Sequence, residues 1–462
     1  MTSVGDGAML PERFRSRTLP STSDPLALGT ALARRSAAPV MLYERAGEWS
    51  LGSGALVEIS VRRDGVRVRR ADGASEFRPS GEDPLQVVRA VLSELPSTGW
   101  RAYGWARFEL AAALFGIGVP GAPDQTLAYV VVPEREIRLR PGYVELRAVR
   151  EAELDRLTEL VRVTRPDAEP VVEHLVDEHR PDSDYPRLVA EAIAGIHSGA
   201  LKKVILSRRV LVDRPLDLPA TYLAGRRANT PARSFLLDLG GLRAAGFSPE
   251  TVVEVAAEGT VSTHPLAGTR ALVGDPATDA RLRRDLQGDS KEIVEHAMSV
   301  QLAQEELRGL CEEGSVRVTG FMDVLERGSV QHLASRLYGQ LPAGRNAWHA
   351  LRALFPAITA SGIPKRAACS WIHRNEPEPR GLYSGAVLIA DADGSLDAAL
   401  VLRTIFEQDG RYVLRAGAGI VGASDPAREF EETCEKLRSV SRFLVPAGAD
   451  PKGTFREVRQ DG

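Results

Sequence analysis

The chain has 462 residues, 43% hydrophobic and 26% charged, with a formal net charge of −3. That length can bury a sizeable core in one large domain or two, and the balance of Lys+Arg 59 against Asp+Glu 62, with no long basic run, implies no nucleic-acid or anionic-membrane partner. Cys311, Cys369 and Cys434 are odd in number and far apart, which excludes a disulfide framework or a Cys-rich metal site. No apolar run approaches the roughly 18 residues of a membrane span, and the Arg-containing N-terminus lacks the apolar core of a signal peptide. A cytoplasmic protein with a small ligand is expected.

Residues 1–25 are rich in Gly, Pro, Ser and Thr and are expected to be loosely held. Residues 49–61, and 66–70 after the Asp64-Gly65 turn, alternate as an antiparallel hairpin, and 84–95 reads as a helix. Further strands are predicted at 127–132 and 143–149, separated by the Pro141-Gly142 turn. This first third gathers no ionisable motif and reads as scaffold. Residues 165–186, dense in Pro, Asp, Glu and His, read as a connector. His174 and His179 within it are five apart rather than four, which favours a solvated acidic loop over a metal site. A helix at 185–198 leads into a strand at 203–210, where one of Lys202 and Lys203 is expected to point inward, though alternation does not say which.

A second hairpin, 234–239 with 242–247 about Gly240-Gly241, delivers Ser248-Pro249-Glu250. Glu250 is a candidate acid there, or a turn-capping glutamate. The next strand ends in residues 264–270, where Gly268 and Thr269 can present backbone donors, and His264 reads more readily as a structural histidine than as a ligand. A helix at 289–310 has Asp289 and Glu292 at capping-box spacing and Ile293, Val294, Ala297 and Val300 predicted inward; Glu292, Glu295 and His296 fall on adjoining rows. A strand at 329–341 carries His332, and a Gly/Pro-punctuated loop at 354–365 leads into a helix. A meander follows at 383–390, 397–407 and 412–416, turned at Asp393-Gly394 and Asp409-Gly410. Arg403, mid-strand among Leu, Val and Ile, is predicted to point to a carboxylate of the protein or of a ligand, which its planar fork grips bidentately.

Residues 415–436 read as strand, glycine loop, helix. Asp425 is the predicted N-cap and Pro426 fits the first turn of a helix over 426–443, with Phe430, Cys434, Leu437 and Val440 inward. Glu429, Glu432 and Lys436 form a neighbouring stripe, which from spacing alone is ordinarily a solvated face. Gly417, Gly419 and Gly422 ahead of it allow backbone N–H groups to approach an anion. These glycines also spell G-x-G-x-x-G, but no second strand or ribose-binding acid follows, so a dinucleotide site is not supported. Two pairs of carboxylates on two helices, Glu292 with Glu295 and Glu429 with Glu432, together suit a hard divalent ion, Mg²⁺ best.

Lys-Val-Ile-Leu-Ser-Arg208, Ser-Pro-Glu250, Pro-Leu-Ala-Gly-Thr-Arg270, Lys-Glu-Ile-Val-Glu-His296, Gly-Ile-Pro-Lys365, Tyr-Ser-Gly385, Ala-Gly-Ala-Gly419 and Glu-Phe-Glu-Glu432 occur in this order. Together they resemble the chorismate-utilising enzymes, the family of anthranilate, aminodeoxychorismate, isochorismate and salicylate synthases. The likeness covers roughly 203–436 and is closest to the salicylate synthases of mycobactin-type siderophore pathways, where the N-terminal third looks similar too.

The resemblance implies one α+β domain over 26–450, with large facing antiparallel sheets flanked by helices, 26–185 mainly scaffold, 186–450 carrying the site, and 451–462 a polar tail. It implies Mg²⁺ at Glu295 and Glu432, with Glu292 and Glu429 contributing directly or through water. Chorismate is then held by the ion on one carboxylate and by Tyr383, Arg403 and the backbone of Gly417, Ala418 and Gly419 on the other, with Lys436, Gly268 and Thr269 nearby. Lys203 matches the base that activates water in isochorismate- and salicylate-forming members, where ammonia-using members typically carry glutamine, and Glu250 matches the acid that protonates the departing C4 hydroxyl. Ala267 stands where members using a covalent lysine place it, which disfavours that route. Thr359 resembles the members that go on to eliminate pyruvate, and His332 shapes that pocket. The chain lacks a Leu-Leu-Glu-Ser segment and a glutaminase nucleophile motif. A monomeric salicylate synthase without a glutaminase subunit is therefore expected, with an isochorismate synthase as the close rival and an ammonia-using anthranilate or aminodeoxyisochorismate synthase behind it.

Overall fold

The computed structural model describes residues 13–448 apart from 82, 97, 119–124, 181–183, 329 and 409. The expected tail 451–462, residues 1–12 of the expected loose segment and Asp409 of the last predicted turn lie outside the described residues. The architecture is α+β. Among the described residues, two antiparallel sheets of 11 and 12 strands face each other, with helices packed on their outer surfaces.

Between the sheets lies an apolar layer that includes Tyr43, Tyr103, Trp105, Phe235, Val387 and Val401. Its polar atoms are satisfied: the Trp105 indole donates to Leu239 O at 2.9 Å, and the Tyr43 hydroxyl donates to Asp397, which Arg233 also grips at 2.6 Å.

The chain passes between the sheets at short breaks, and these breaks position the site. Glu48–Ser53 belongs to the first sheet and Val57–Val61 to the second, so the stretch predicted as one strand over 49–61 is two, parted at Gly54 with φ +73. Leu242–Ser248 lies in the first sheet and Thr251–Val255 in the second, with Pro249 and Glu250 at the crossing. Leu396–Leu400 and Thr404–Gln408 repeat this switch in the opposite direction. Arg403 is therefore not mid-strand: it sits at this last crossing with φ +50, in the left-handed region, because one continuous strand cannot serve two sheets. Leu400 N donates to Glu250 O at 3.1 Å and the Ser248 hydroxyl to the same carbonyl at 2.7 Å, which ties the two crossings together.

Two scaffold expectations change. Arg15–Ser21 is a strand paired along its length with Gly142–Ala148, and helix Pro25–Arg35 follows, its N-cap Asp24 accepting from Leu26 N and Ala27 N. The loose segment thus ends before Arg15, because an edge strand needs only backbone hydrogen bonds and the ion pairs of Arg15 and Arg17 with Glu151. A strand at Arg135–Arg140, masked by its charges, lies between the two predicted at 127–132 and 143–149, and the Pro141-Gly142 turn joins it to the latter. No helix among the described residues is long and apolar enough to cross a membrane.

Candidate active site

One cleft opens where the crossings at Glu250 and Arg403 meet strand Arg411–Ile420 and helix Pro426–Ser441. Every residue lining it lies at or beyond Ile205. Of the candidate residues, Glu250, Gly268, Thr269, Glu295, His332, Thr359, Tyr383, Arg403, Gly417, Gly419, Glu432 and Lys436 line the cleft. Lys203, Glu292, Glu429 and Ala418 do not line it. Ala418 alternates away from Gly417 and Gly419 into the core. His264 lies outside the cleft, its Nδ1 3.8 Å from Glu254.

Of the three glycines of the predicted loop, only Gly422 lies in the turn between strand and helix. Gly417 and Gly419 are inside strand Arg411–Ile420, opposite Ser207 and Ile205 of strand Lys203–Val212. Neither needs a positive φ; each is there because its neighbours come too close for a side chain. A Cβ on Gly417 would fall on Leu206 O of the paired strand and stand 2.9 Å from Tyr383 Oη, and one on Gly419 would fall on Glu295 Oε1. Beyond Leu414 the strand has a ladder partner on one side only, so backbone groups of the glycine stretch face away from the sheet. Lys436 Nζ donates to one of them, Gly417 O, at 2.9 Å.

At the crossing end of the cleft, Glu250 is 3% exposed; its Oε2 accepts from Leu266 N at 2.8 Å and its Oε1 from Thr359 Oγ1 at 2.5 Å. Burial pushes this carboxyl up to about 7, against the pull of those two donors and of Lys203 and Arg403. Arg403 grips no carboxylate of the protein among the described residues. Its Nη2 donates to His332 Nε2 at 2.5 Å and its Nη1 to Arg327 O at 3.1 Å. Burial, with Arg327 nearby, lowers the guanidinium to about 10. The acceptor role of Nε2 assigns the His332 hydrogen to Nδ1, in reach of Thr269 Oγ1 at 3.1 Å and Gly268 O at 3.3 Å. Burial first, then Arg403 and Lys436, hold His332 well below its usual range, so it is a neutral ring that positions Arg403.

At the helical end the sequence pattern points the wrong way. On helix Ser290–Leu310, Val294 is 54% exposed although its spacing predicts an inward position, while Glu292, Glu295, His296 and Ser299 are buried. Glu429 and Glu432 on the facing helix are likewise buried, so their stripe is not a solvated face. Lysines compensate them. Lys203, fully buried where Lys202 is exposed, lies 3.0 Å from Glu295 Oε1 and donates to Ser299 Oγ at 3.0 Å. Lys436 lies 2.8 Å from Glu432 Oε1. Lys291 Nζ lies 3.0 Å from Glu429 Oε1 and 3.6 Å from Glu292 Oε1. Burial and the neighbouring Glu432 raise Glu429, whereas Lys436 and Lys291 overcome burial to hold Glu432 well below the usual carboxylate range.

The description "chorismate binding enzyme" belongs to a family whose sequence pattern matches residues 39–442. The chain belongs to this family. A salicylate synthase of Mycolicibacterium paratuberculosis is 43% identical over 431 residues, covering 92% of this chain and 95% of the relative. An anthranilate synthase component 1 of Streptomyces coelicolor is 36% identical over 402 residues, covering 79% and 78%. Among solved structures, anthranilate synthase component I from Streptococcus pneumoniae superposes with a TM-score of 0.73 at 28% identity, covering 86% of this chain and 92% of that one.

As a chorismate-binding enzyme, the chain has a glutamate cluster whose fit to a divalent ion can be tested on its own atoms. All four donors are hard carboxylates, and in Glu429, 1% exposed, Oε1 meets the Lys291 ammonium at 3.0 Å while Oε2 lacks a well-aligned donor. The cluster fits such an ion in chemistry, but its oxygens are spread around Lys291. Among the described residues, three candidate ligand atoms lie within 4.8 Å of one another only at His179, Glu431 and Cys434. That trio is already served by Arg438, 3.1 Å from Glu431 Oε1, and Arg208, 3.0 Å from Cys434 Sγ, which makes it a poor cation site.

Reading the sequence missed Lys291, Arg270 and Ser299. Lys291 stands four residues before Glu295, an ion-pair spacing that flags it. Arg270, 2.6 Å from Asp289 and 3.3 Å from Glu292, closes a motif already noted.

Proposed function

We propose that this chorismate-binding enzyme is a Mg²⁺-dependent salicylate synthase, converting chorismate through isochorismate to salicylate and pyruvate for siderophore or related aryl-acid biosynthesis. The observation that carries the reading is the hydrogen bond from Thr359 to Glu250, since it joins the acid of the first step to the residue that marks pyruvate elimination. A carboxyl near 7 keeps a proton to donate at neutral pH, as a general acid must. In the first step Lys203 takes a proton from water, the water oxygen bonds to C2, the ring double bonds shift, and the C4 hydroxyl leaves with the Glu250 proton. Lys203 pairs with Glu295 Oε1 at 3.0 Å, and it must give up the proton of that pair before it can act as the base. In the second step the C2 hydrogen passes to the enolpyruvyl group, the C–O bond breaks, and pyruvate and the aromatic ring separate. This step needs a held pose more than a catalytic group, which Tyr383, the glycine strand and the His332–Arg403 pair supply.

Glu295 and Glu432 would hold Mg²⁺, with Glu292 and Glu429 in support; the ion supplies a positive anchor for a substrate carboxylate. The 43% identity to a salicylate synthase supports this branch; a cytoplasmic monomer without a glutaminase subunit is part of the same proposal. The test is incubation of purified protein with chorismate and Mg²⁺, without ammonia. Salicylate and pyruvate in equal amounts are expected. Isochorismate alone would overturn the second step, and turnover only with ammonia would overturn the role of Lys203.

A further inference from the structure

We propose that Lys291 is a built-in competitor for the divalent cation: its ammonium serves as counter-ion to the glutamate cluster when no metal is bound, and it must leave when the ion enters. The inference rests on the Mg²⁺ reading above and adds a residue outside the candidate metal ligands.

Lys291 Nζ stands 3.0 Å from Glu429 Oε1, 3.6 Å from Glu292 Oε1 and 3.9 Å from Glu295 Oε2, so this one ammonium bridges carboxylates of both facing helices. The other cations at the cluster are committed elsewhere: Lys203 to Ser299 with Glu295, Lys436 to Gly417 O with Glu432, and Arg270 to Asp289 with Glu292. Each of the four glutamates is buried, and like charges crowded out of water are tolerated only with compensation. Mg²⁺ takes oxygens at about 2.0–2.1 Å. It therefore cannot draw on Glu429 and Glu295 while an ammonium sits among the same oxygens. Lys291 has a way out, because it lies in the first turn of helix Ser290–Leu310 with its side chain 20% exposed. Four methylenes let the head swing to water while the stem stays on the protein. Exchanging one positive charge for two leaves the cluster better matched to an anionic substrate, which couples ion entry to substrate binding.

The experiment is calorimetric titration of Mg²⁺ into substrate-free wild type, Lys291→Met and Lys291→Arg, with thermal unfolding of each with and without the ion. Lys291→Met is expected to bind Mg²⁺ at least ten-fold tighter than wild type, to unfold at a lower temperature without metal, and to recover that loss with Mg²⁺. Lys291→Arg, which keeps the charge, is expected to stay near wild type. Should the methionine variant fail to fold, Lys291→Gln gives the same comparison. Equal affinities in wild type and Lys291→Met, or weaker binding in the variant, would overturn the inference while leaving the metal site intact. No Mg²⁺ binding by any of the proteins would overturn the metal reading itself, and the inference with it.

Discussion

Glu250 and Glu432 line the same cleft and are buried almost equally, at 3% and 7% exposure, yet the first is pushed up to about 7 and the second is held well below the usual range. The difference lies in what replaces water. Glu250 is met by two neutral donors, Leu266 N–H and the Thr359 hydroxyl, which satisfy its oxygens without offsetting the cost of burying a charge. Glu432 is met by the ammonium of Lys436, with Lys291 close by, and stays ionised. A group that gives up a proton and a group that binds a cation are thus made from one residue type by choosing neutral or charged neighbours.

The sharpest way to break this contrast is Glu250→Gln, which keeps an acceptor for Leu266 N–H but removes the proton. Chorismate turnover is expected to fall by about 10²–10⁴. Wild-type turnover should decline as pH rises past about 7, where Glu250 loses its proton, and the residual rate of the variant should lack that limb. Stability carries the same signature. A carboxyl with its folded pKa raised holds a proton that the unfolded chain has released, so stability falls as pH rises from about 4.5 to about 7. The loss is about 3 kcal/mol across that window and should be absent from denaturation curves of Glu250→Gln. A pH-independent difference between the two proteins would remove the argument for Glu250 as the acid.

Gly419→Ala breaks the other end. Its new methyl lands on Glu295 Oε1, which must then move away from both Lys203 and the helix cluster. Overpacking of this kind costs about 1–3 kcal/mol. Mg²⁺ affinity is expected to drop by about 10–100-fold, read by calorimetry, while the Glu250 pH limb stays where it is. Equal disturbance of both ends would mean that the two halves of the cleft are not independent.

What the sequence shows and hides follows from range. Helix Pro426–Ser441 was legible because its signals are local: Asp425 caps it by accepting from Arg428 N at 2.9 Å, and its apolar spacing is helical. The family likeness was legible because the motifs that carry it are short and ordered. The sheet crossings at Gly54, Glu250 and Arg403 were not, because alternation continues through a change of partner. The role of Gly419 was hidden for a related reason: the group that forbids its side chain comes from a helix more than a hundred residues earlier in the chain. Charge misled most. Glu429 and Glu432 look like a solvated stripe from spacing alone until Lys291 and Lys436 are brought against them by the fold.

Val294 gives the smallest effect and the cleanest control on that last point. Helical spacing places it with the apolar residues, but burial of the glutamate row turns it outward, where it is 54% exposed. Val294→Lys should therefore change stability by no more than about 0.5 kcal/mol, as surface substitutions do, and leave Mg²⁺ affinity within two-fold of wild type, about 0.4 kcal/mol. Were Val294 in the core, the same change would bury an unpaired ammonium and cost several kcal/mol. A loss of that size in a denaturant titration would mean that helix Ser290–Leu310 is rotated, and that its glutamates do not face the cleft.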